Sequence, residues 1–224
     1  MKHTFTFKHT KKLLPLLALL LLVATACNKK NDVNLSGTAY IEFTNASQTD
    51  SPVDFYVSSA KKNTLPVPYG QSTDYFSVNT GTTLPASIKV NTTGVSLASL
   101  NLTPLPNAYY SIFYFGGITV AYIDDLSIAA GKSRIRFINL NKGLTGSLDF
   151  GIKGAPTPLV TGLGAAFDSA YYSVTPGSTF SVYAAGTTSS ILDIPTTTEA
   201  GHVYTIYLSG ATTADLQANI LLQK

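Results

Sequence analysis

Cys27 is the lone cysteine among 224 residues, so its thiol has no internal partner and must be modified, reactive or idle. After the first 26 residues the chain keeps a single histidine, His202, and any serine–histidine–carboxylate arrangement has to use it. It stands beside Gly201 at the start of a strand pattern, where a surface histidine is the expected reading. No His/Cys spacing of a zinc site occurs. Asp124-Asp125 could join Asp54 or Asp74 as oxygen ligands for calcium, but the fixed spacing of a calcium loop is missing. Asp54 and Asp149 recur at matching points of the chain. As an acid–base pair they would have to share one site, and they belong to separate segments. The expected role is structural: each carboxylate accepts hydrogen bonds from a neighbouring turn, with Asn45 and Asn139 in similar service. No catalytic, cofactor-binding or metal-binding residue is assigned.

The segment before Cys27 explains that cysteine better than any active site does. Lys2, Lys8, Lys11 and Lys12 precede the apolar stretch Leu13–Ala24, and Ala24-Thr25-Ala26 brings small residues up to Cys27. Basic, apolar and small-residue regions in that order form a secretory signal. The twelve apolar-run residues contain Pro15 and fall short of the roughly 20 needed to span a bilayer. Leu22–Cys27 resembles the lipobox of bacterial lipoproteins, with Ala24 where leucine is preferred, and implies lipidation of Cys27. Ala24-Thr25-Ala26 also fits ordinary signal peptidase, which would release a soluble protein carrying a free thiol. The expectation is a signal peptide over 1–26, a polar tether over 27–37 and a lipid-anchored cell-envelope protein. Asn28 is not an inner-membrane retention aspartate, so the outer membrane is favoured.

Charge follows the leader. The chain is formally +3, but four of its fifteen basic residues precede Cys27 and all twelve acids follow it. The remainder is close to −1, which gives no reason to expect nucleic acid as a partner. Arg134 and Arg136, like Lys61-Lys62, read as a solvated strand face or turn.

The sequence after the tether repeats itself. Ile41–Asn45 returns as Ile135–Asn139 and Val53-Asp54-Phe55 as Leu148-Asp149-Phe150. Tyr75–Val78 returns as Tyr171–Val174 and Tyr110-Ser111-Ile112 as Tyr204-Thr205-Ile206, always 94 to 96 residues later. Two copies make a tandem pair, since a solenoid needs more repeats. Within each copy apolar residues alternate with polar ones, as in Ile41-Glu42-Phe43 and Ile135-Arg136-Phe137, the period of a strand. Short runs separated by Gly, Pro, Asn and Thr, with 13 tyrosines, predict an all-β chain. The expected architecture is two tandem immunoglobulin-like β-sandwiches, over 38–124 and 134–224 with a short linker at 125–133. Such a linker makes the two abut, packed end to end, with separate cores around Phe43 and Phe55 and around Phe137 and Phe150.

Phe43-Thr44-Asn45-Ala46-Ser47 followed by Pro52–Val57 resembles the opening of the secreted bacterial family called domain of unknown function 4397. Arg134–Asn139 followed by Leu148-Asp149-Phe150 resembles the same opening without its Ala-Ser step and Pro. Gly70, Tyr75, Ser77, Val78 and Gly81 fit the later part of the pattern. The resemblance implies an immunoglobulin-like sandwich on an envelope or secreted protein, and it brings no activity and no catalytic residue.

Three functional readings stay open: a non-catalytic module binding an envelope protein or a glycan, a passive spacer, and an enzyme with an unrecognised site. The first is expected. Tyr109-Tyr110, Tyr114, Tyr171-Tyr172 and Tyr207 could offer flat surfaces to a sugar or a protein, although most are expected in core and rim positions.

Overall fold

β-Branched and aromatic residues spaced two apart drive the chain into strands. The computed structural model describes residues 35–50, 52–212 and 214–224, and its regular elements there are all β-strands. The leader, Cys27 and most of the expected tether lie outside the described residues.

The first strands are β1 (Thr38–Asn45), β2 (Val53–Val57), β3 (Ala60–Lys61), β4 (Phe76–Asn79), β5 (Leu84–Val90), β6 (Ser96–Leu102), β7 (Tyr109–Phe115) and β8 (Ile118–Asp124). They form two sheets, ordered β4-β1-β7-β8 and β3-β2-β5-β6. β1 runs parallel to β7 with Ile41 opposite Tyr110. Ile41, Phe43, Phe55, Ile88 and Ile112 fill the space between the sheets. Phe43 and Phe55 stack with ring centroids 4.5 Å apart.

The remaining strands are β9 (Ser133–Asn139), β10 (Leu148–Ile152), β11 (Val160–Leu163), β12 (Phe167–Asp168), β13 (Tyr172–Val174), β14 (Phe180–Ala184), β15 (Ser190–Ile194), β16 (Val203–Ser209) and β17 (Gln217–Leu222). One sheet is ordered β12-β9-β16-β17, with β13 also paired to β9, and the other β11-β10-β14-β15. β9 is parallel to β16, and Ile135 opposes Tyr204 as Ile41 opposes Tyr110. Phe137 lies against Phe150 and Phe180 in the second core. The all-β, immunoglobulin-like sandwich expected from the alternation is the fold observed.

The packing of the two sandwiches differs from expectation. They meet face to face, not end to end. Along β7, Tyr110, Ile112 and Tyr114 point into the first core, so the alternate residues Phe113 and Phe115 point out of it. Those two meet Ile138, Leu140 and Tyr207 from the outer side of the second sandwich, with Ala46 beside them. The rings of Phe113 and Tyr207 are 5.2 Å apart. The four sheets therefore stack as layers, and the sheets holding β1–β7 and β9–β16 are covered on both faces. That is why Arg136, read from its neighbours as a solvated position, is 0% exposed.

Candidate binding surfaces and the polar seam

The chemistry-bearing side chains gather between the sandwiches. Glu42 on β1 and Arg136 on β9 occupy equivalent positions, opposite Ser111 and Thr205 respectively. Both point into the seam because the residues on either side of each point into a core. Arg136 Nη2 donates to Asp124 Oδ1 at 2.6 Å, and Nη1 donates to the Ile123 carbonyl at 3.1 Å. Nε donates to Thr205 Oγ1 at 3.2 Å. The guanidinium lies 4.9 Å from the Tyr171 ring and 5.7 Å from the Tyr122 ring. Asp168 approaches it at 3.6 Å from the rim.

The two sandwiches build this seam by the same scheme. In the first, Tyr75 and Ser111 hydroxyls each donate to Asp124 Oδ2 at 2.8 Å. In the second, Tyr171 and Thr205 hydroxyls donate to Gln223 Oε1 at 2.7 and 2.8 Å. Gln223 then crosses the seam, its Nε2 donating to Ser111 Oγ at 2.8 Å. Quasi-symmetric partners thus satisfy one another where water is excluded.

Glu42 stands apart. Its Oε2 has no hydrogen-bond partner. Burial, helped by the nearby Asp124 carboxylate, pushes its pKa up from 4.5 to about 8, against the opposing pull of Arg136. Two inner carboxyls face one guanidinium, and the carboxyl without a direct ion-pair contact carries the proton at neutral pH. Burial likewise raises Tyr75, with Asp124 adding to the shift. This is a closed cluster that locks two sheets together, and it offers no open position to a substrate.

Asn45 and Asn139 hold equivalent turns. Asn45 Nδ2 donates to the Val67 carbonyl at 3.0 Å, and its Oδ1 accepts from Ser47 N–H. Asn139 Nδ2 donates to the Leu163 carbonyl at 3.1 Å, and its Oδ1 accepts from Asn141 N–H. Asp149 accepts from the Gly162 and Gly186 N–H groups at 2.7 and 2.9 Å. Asp54 accepts from Asn63 Nδ2 at 2.9 Å and pairs with Lys61 at 2.8 Å. Asp54 and Asp149 sit on the outermost sheets of opposite sandwiches and do not converge.

Concave surfaces also lie outside the seam. One, of about 420 Å³, is on the outer face of the β11-β10-β14-β15 sheet. Its floor includes Gly151, Ser181, Tyr183 and Asp193, consecutive outward positions of neighbouring strands. Ser181 Oγ donates to Asp193 Oδ1 and Lys153 Nζ pairs with Oδ2, both at 2.7 Å. These bonds, Lys153 first, hold the exposed Asp193 carboxyl below its ordinary pKa. The loop over 153–158 walls one side, and Pro158 Cα would be only 3.0 Å from a Cβ on Gly151. Another, a groove of about 700 Å³, runs between Lys62–Pro68 and Gln71–Phe76, with Lys62 Nζ 5.6 Å from the Phe76 ring.

The other sequence candidates fall into place around these features. Tyr110, Tyr114 and Tyr207 are buried, Tyr171 serves the seam, and Tyr109 stacks on Tyr40 at 4.7 Å. His202 Nδ1 lies 3.2 Å from the Ala200 carbonyl, with the Tyr204 ring nearby. Asp124 binds Arg136 and Asp125 binds Arg134; the burial of Arg136 corrects its reading as solvated, while Arg134 pairs at the surface with the exposed Asp125. Among the described residues no three His, Cys, Asp or Glu side chains group to hold a metal. Sequence reasoning missed the seam and Tyr183. The matched offsets of Ser111 with Thr205 and Tyr75 with Tyr171 were the available signal, since matching polar residues on the faces away from both cores suit a shared polar seam.

A family model described as "Domain of unknown function (DUF4397)" matches residues 39–150, half of the chain. It spans nearly all of the first sandwich, then β9 and the first residues of β10 in the second. No curated protein matches. Among solved structures, a family CBM26 module, CBMbc of Eubacterium rectale Amy13K, crystallised with maltoheptaose, is 12% identical. It covers 81% of this chain and 95% of its own, with a TM-score of 0.29, a likeness too slight to carry functional weight.

Proposed function

The chain belongs to the family described as Domain of unknown function (DUF4397), and we propose that it is a lipid-anchored, non-catalytic module of the cell envelope that binds a protein or glycan partner. Cys27 carries the lipid, the residues up to 37 form the tether, and the second sandwich is a divergent copy of the first. The outer membrane is the favoured location. No cofactor takes part.

One observation carries the non-catalytic reading. The closely packed polar side chains Glu42, Tyr75, Arg136 and Asp124 are spent on joining the two sandwiches. Perturbed groups usually point to function when they line a cleft, and here Glu42, the shifted carboxyl of the seam, is buried beside the Arg136–Asp124 pair, whose side chains have no exposed surface. The open concavities are lined by hydroxyl, aromatic and proline side chains with a few charged ones, Lys153 and Asp193 in one and Lys62 and Asp74 in the other, a mixture that suits recognition.

The test is capture from envelope extract by the full chain with Cys27→Ser, in parallel with a glycan array. Retention of a specific protein or glycan is the expected result. Failure to retain anything in either assay makes the chain a spacer and overturns the binding reading. Turnover of a substrate that disappears on His202→Ala overturns the non-catalytic one.

A further inference from the structure

We infer that the depression at Gly151, Ser181, Tyr183 and Asp193 is a saccharide-binding site, built in the second sandwich and filled in the first. The inference rests on the reading of the chain as a binding module and gives that reading a place and a ligand class.

Strand register makes the comparison between copies direct. Gly151 opposes Ser181 as Tyr56 opposes Ser87, and Asp149 opposes Tyr183 as Asp54 opposes Lys89. In the first sandwich the Tyr56 side chain occupies the outer face, and Lys89 Nζ lies over its ring at 4.6 Å. In the second, glycine replaces that tyrosine, and the loop over 153–158 closes in beside it, Pro158 Cα lying 3.0 Å from where a Cβ would stand, to wall one side of a depression. The aromatic ring moves one strand over, to Tyr183. Asp193 stands opposite Ser181, where the first copy has Ser99 opposite Ser87. The same outer face thus changes from filled to concave.

The groups left around that concavity select the ligand. Tyr183 provides a half-buried aromatic face against which the C–H side of a pyranose ring can stack. Asp193 supplies carboxylate acceptors and Lys153 a donor, 2.7 Å apart, a spacing that can serve neighbouring hydroxyls of one sugar. Their charges cancel, so the site favours a neutral, polyhydroxylated ligand over an ion. A volume of about 420 Å³ lies within the usual range for small-ligand sites, about 300–1,000 Å³. Asp149 fixes the border beneath: it holds the Gly186 N–H, and Thr187 and Thr188 follow along the rim.

Isothermal titration of the full chain, purified after export, against short neutral oligosaccharides tests this, with α- and β-linked hexoses and N-acetylhexosamines as probes. At least one should bind. Tyr183→Ala and Asp193→Asn should each weaken it about tenfold or more, as for a binding hot spot, while Tyr56→Ala leaves it unchanged. Both site positions are on a solvent-facing strand surface, and unchanged thermal melts verify that the variants fold. Sugar binding that is indifferent to both substitutions overturns this site but leaves the binding-module reading intact. Binding to none of the probes overturns the saccharide assignment, and capture of an envelope protein by the same chain then shows that only this inference has failed.

Discussion

Arg136 and Asp124 join the two sandwiches through a 2.6 Å contact in which neither side chain has exposed surface. Arg136 belongs to the first strand of the second sandwich, and Asp124 closes the last strand of the first. The pair crosses the seam just where the chain leaves one sandwich for the other. Hydrogen bonds from Tyr75 and Ser111 to the carboxylate, and from the guanidinium to Thr205 and the Ile123 carbonyl, offset the desolvation that makes buried pairs costly.

Removing one partner should therefore hurt more than removing both. Arg136→Ala leaves the Asp124 carboxylate buried and should cost about 3–5 kcal/mol. Arg136→Met combined with Asp124→Leu should cost less than either single change. Urea denaturation of the singles and the double variant measures this, and a single-variant cost below about 1 kcal/mol contradicts the seam as described.

Stability should fall as pH rises from mildly acidic to alkaline. The folded pKa of Glu42, about 8, exceeds its ordinary value of 4.5. Between those values the folded state keeps a proton that the unfolded state has released, so the contribution is full below 4.5 and is lost as pH climbs through 8. Glu42→Gln should flatten this dependence and be more stable than the parent at alkaline pH. Denaturant midpoints across the window check it, and an unchanged slope in the variant assigns the dependence elsewhere.

The matched asparagines should be worth similar amounts. Asn45→Ala and Asn139→Ala each strip one carbonyl and one N–H of a buried partner, at a cost of about 1–3 kcal/mol. Thermal melts of the two variants should shift alike. A cost at one site alone would mean that the two turns are not equivalent.

Face-to-face packing also predicts coupled unfolding. Phe113→Ala should cost about 3–5 kcal/mol although it belongs to neither sandwich core. Hydrogen exchange should quicken on both sides of the seam. Protection unchanged in the second sandwich would show two independent units.

Cys27→Ser should move the protein from the membrane fraction to the soluble fraction after export. A wild-type protein already soluble, with a titratable thiol, would defeat the lipoprotein proposal.

The sequence by itself determined the strand class and the residues of the cores. Ile41, Phe43, Ile135 and Phe137 alternate with polar residues, and a period of two fixes which side chains share a face whatever lies beyond it. It also determined that Asn45 and Asn139 take equal roles, because the same short polar side chain follows the same strand. What covers the second face was not written locally. Glu42 and Arg136 look like solvated positions until another sheet lies over them, and that depends on Phe113, Ile138 and Tyr207, widely separated in the chain. The outer depression is of the same kind. Gly151 reads as a lost side chain, and only its register with Ser181 and the nearness of Pro158 turn that loss into a shaped surface. Alternation is a property of neighbours along the chain, whereas burial of a polar face is decided by which distant surface removes its water.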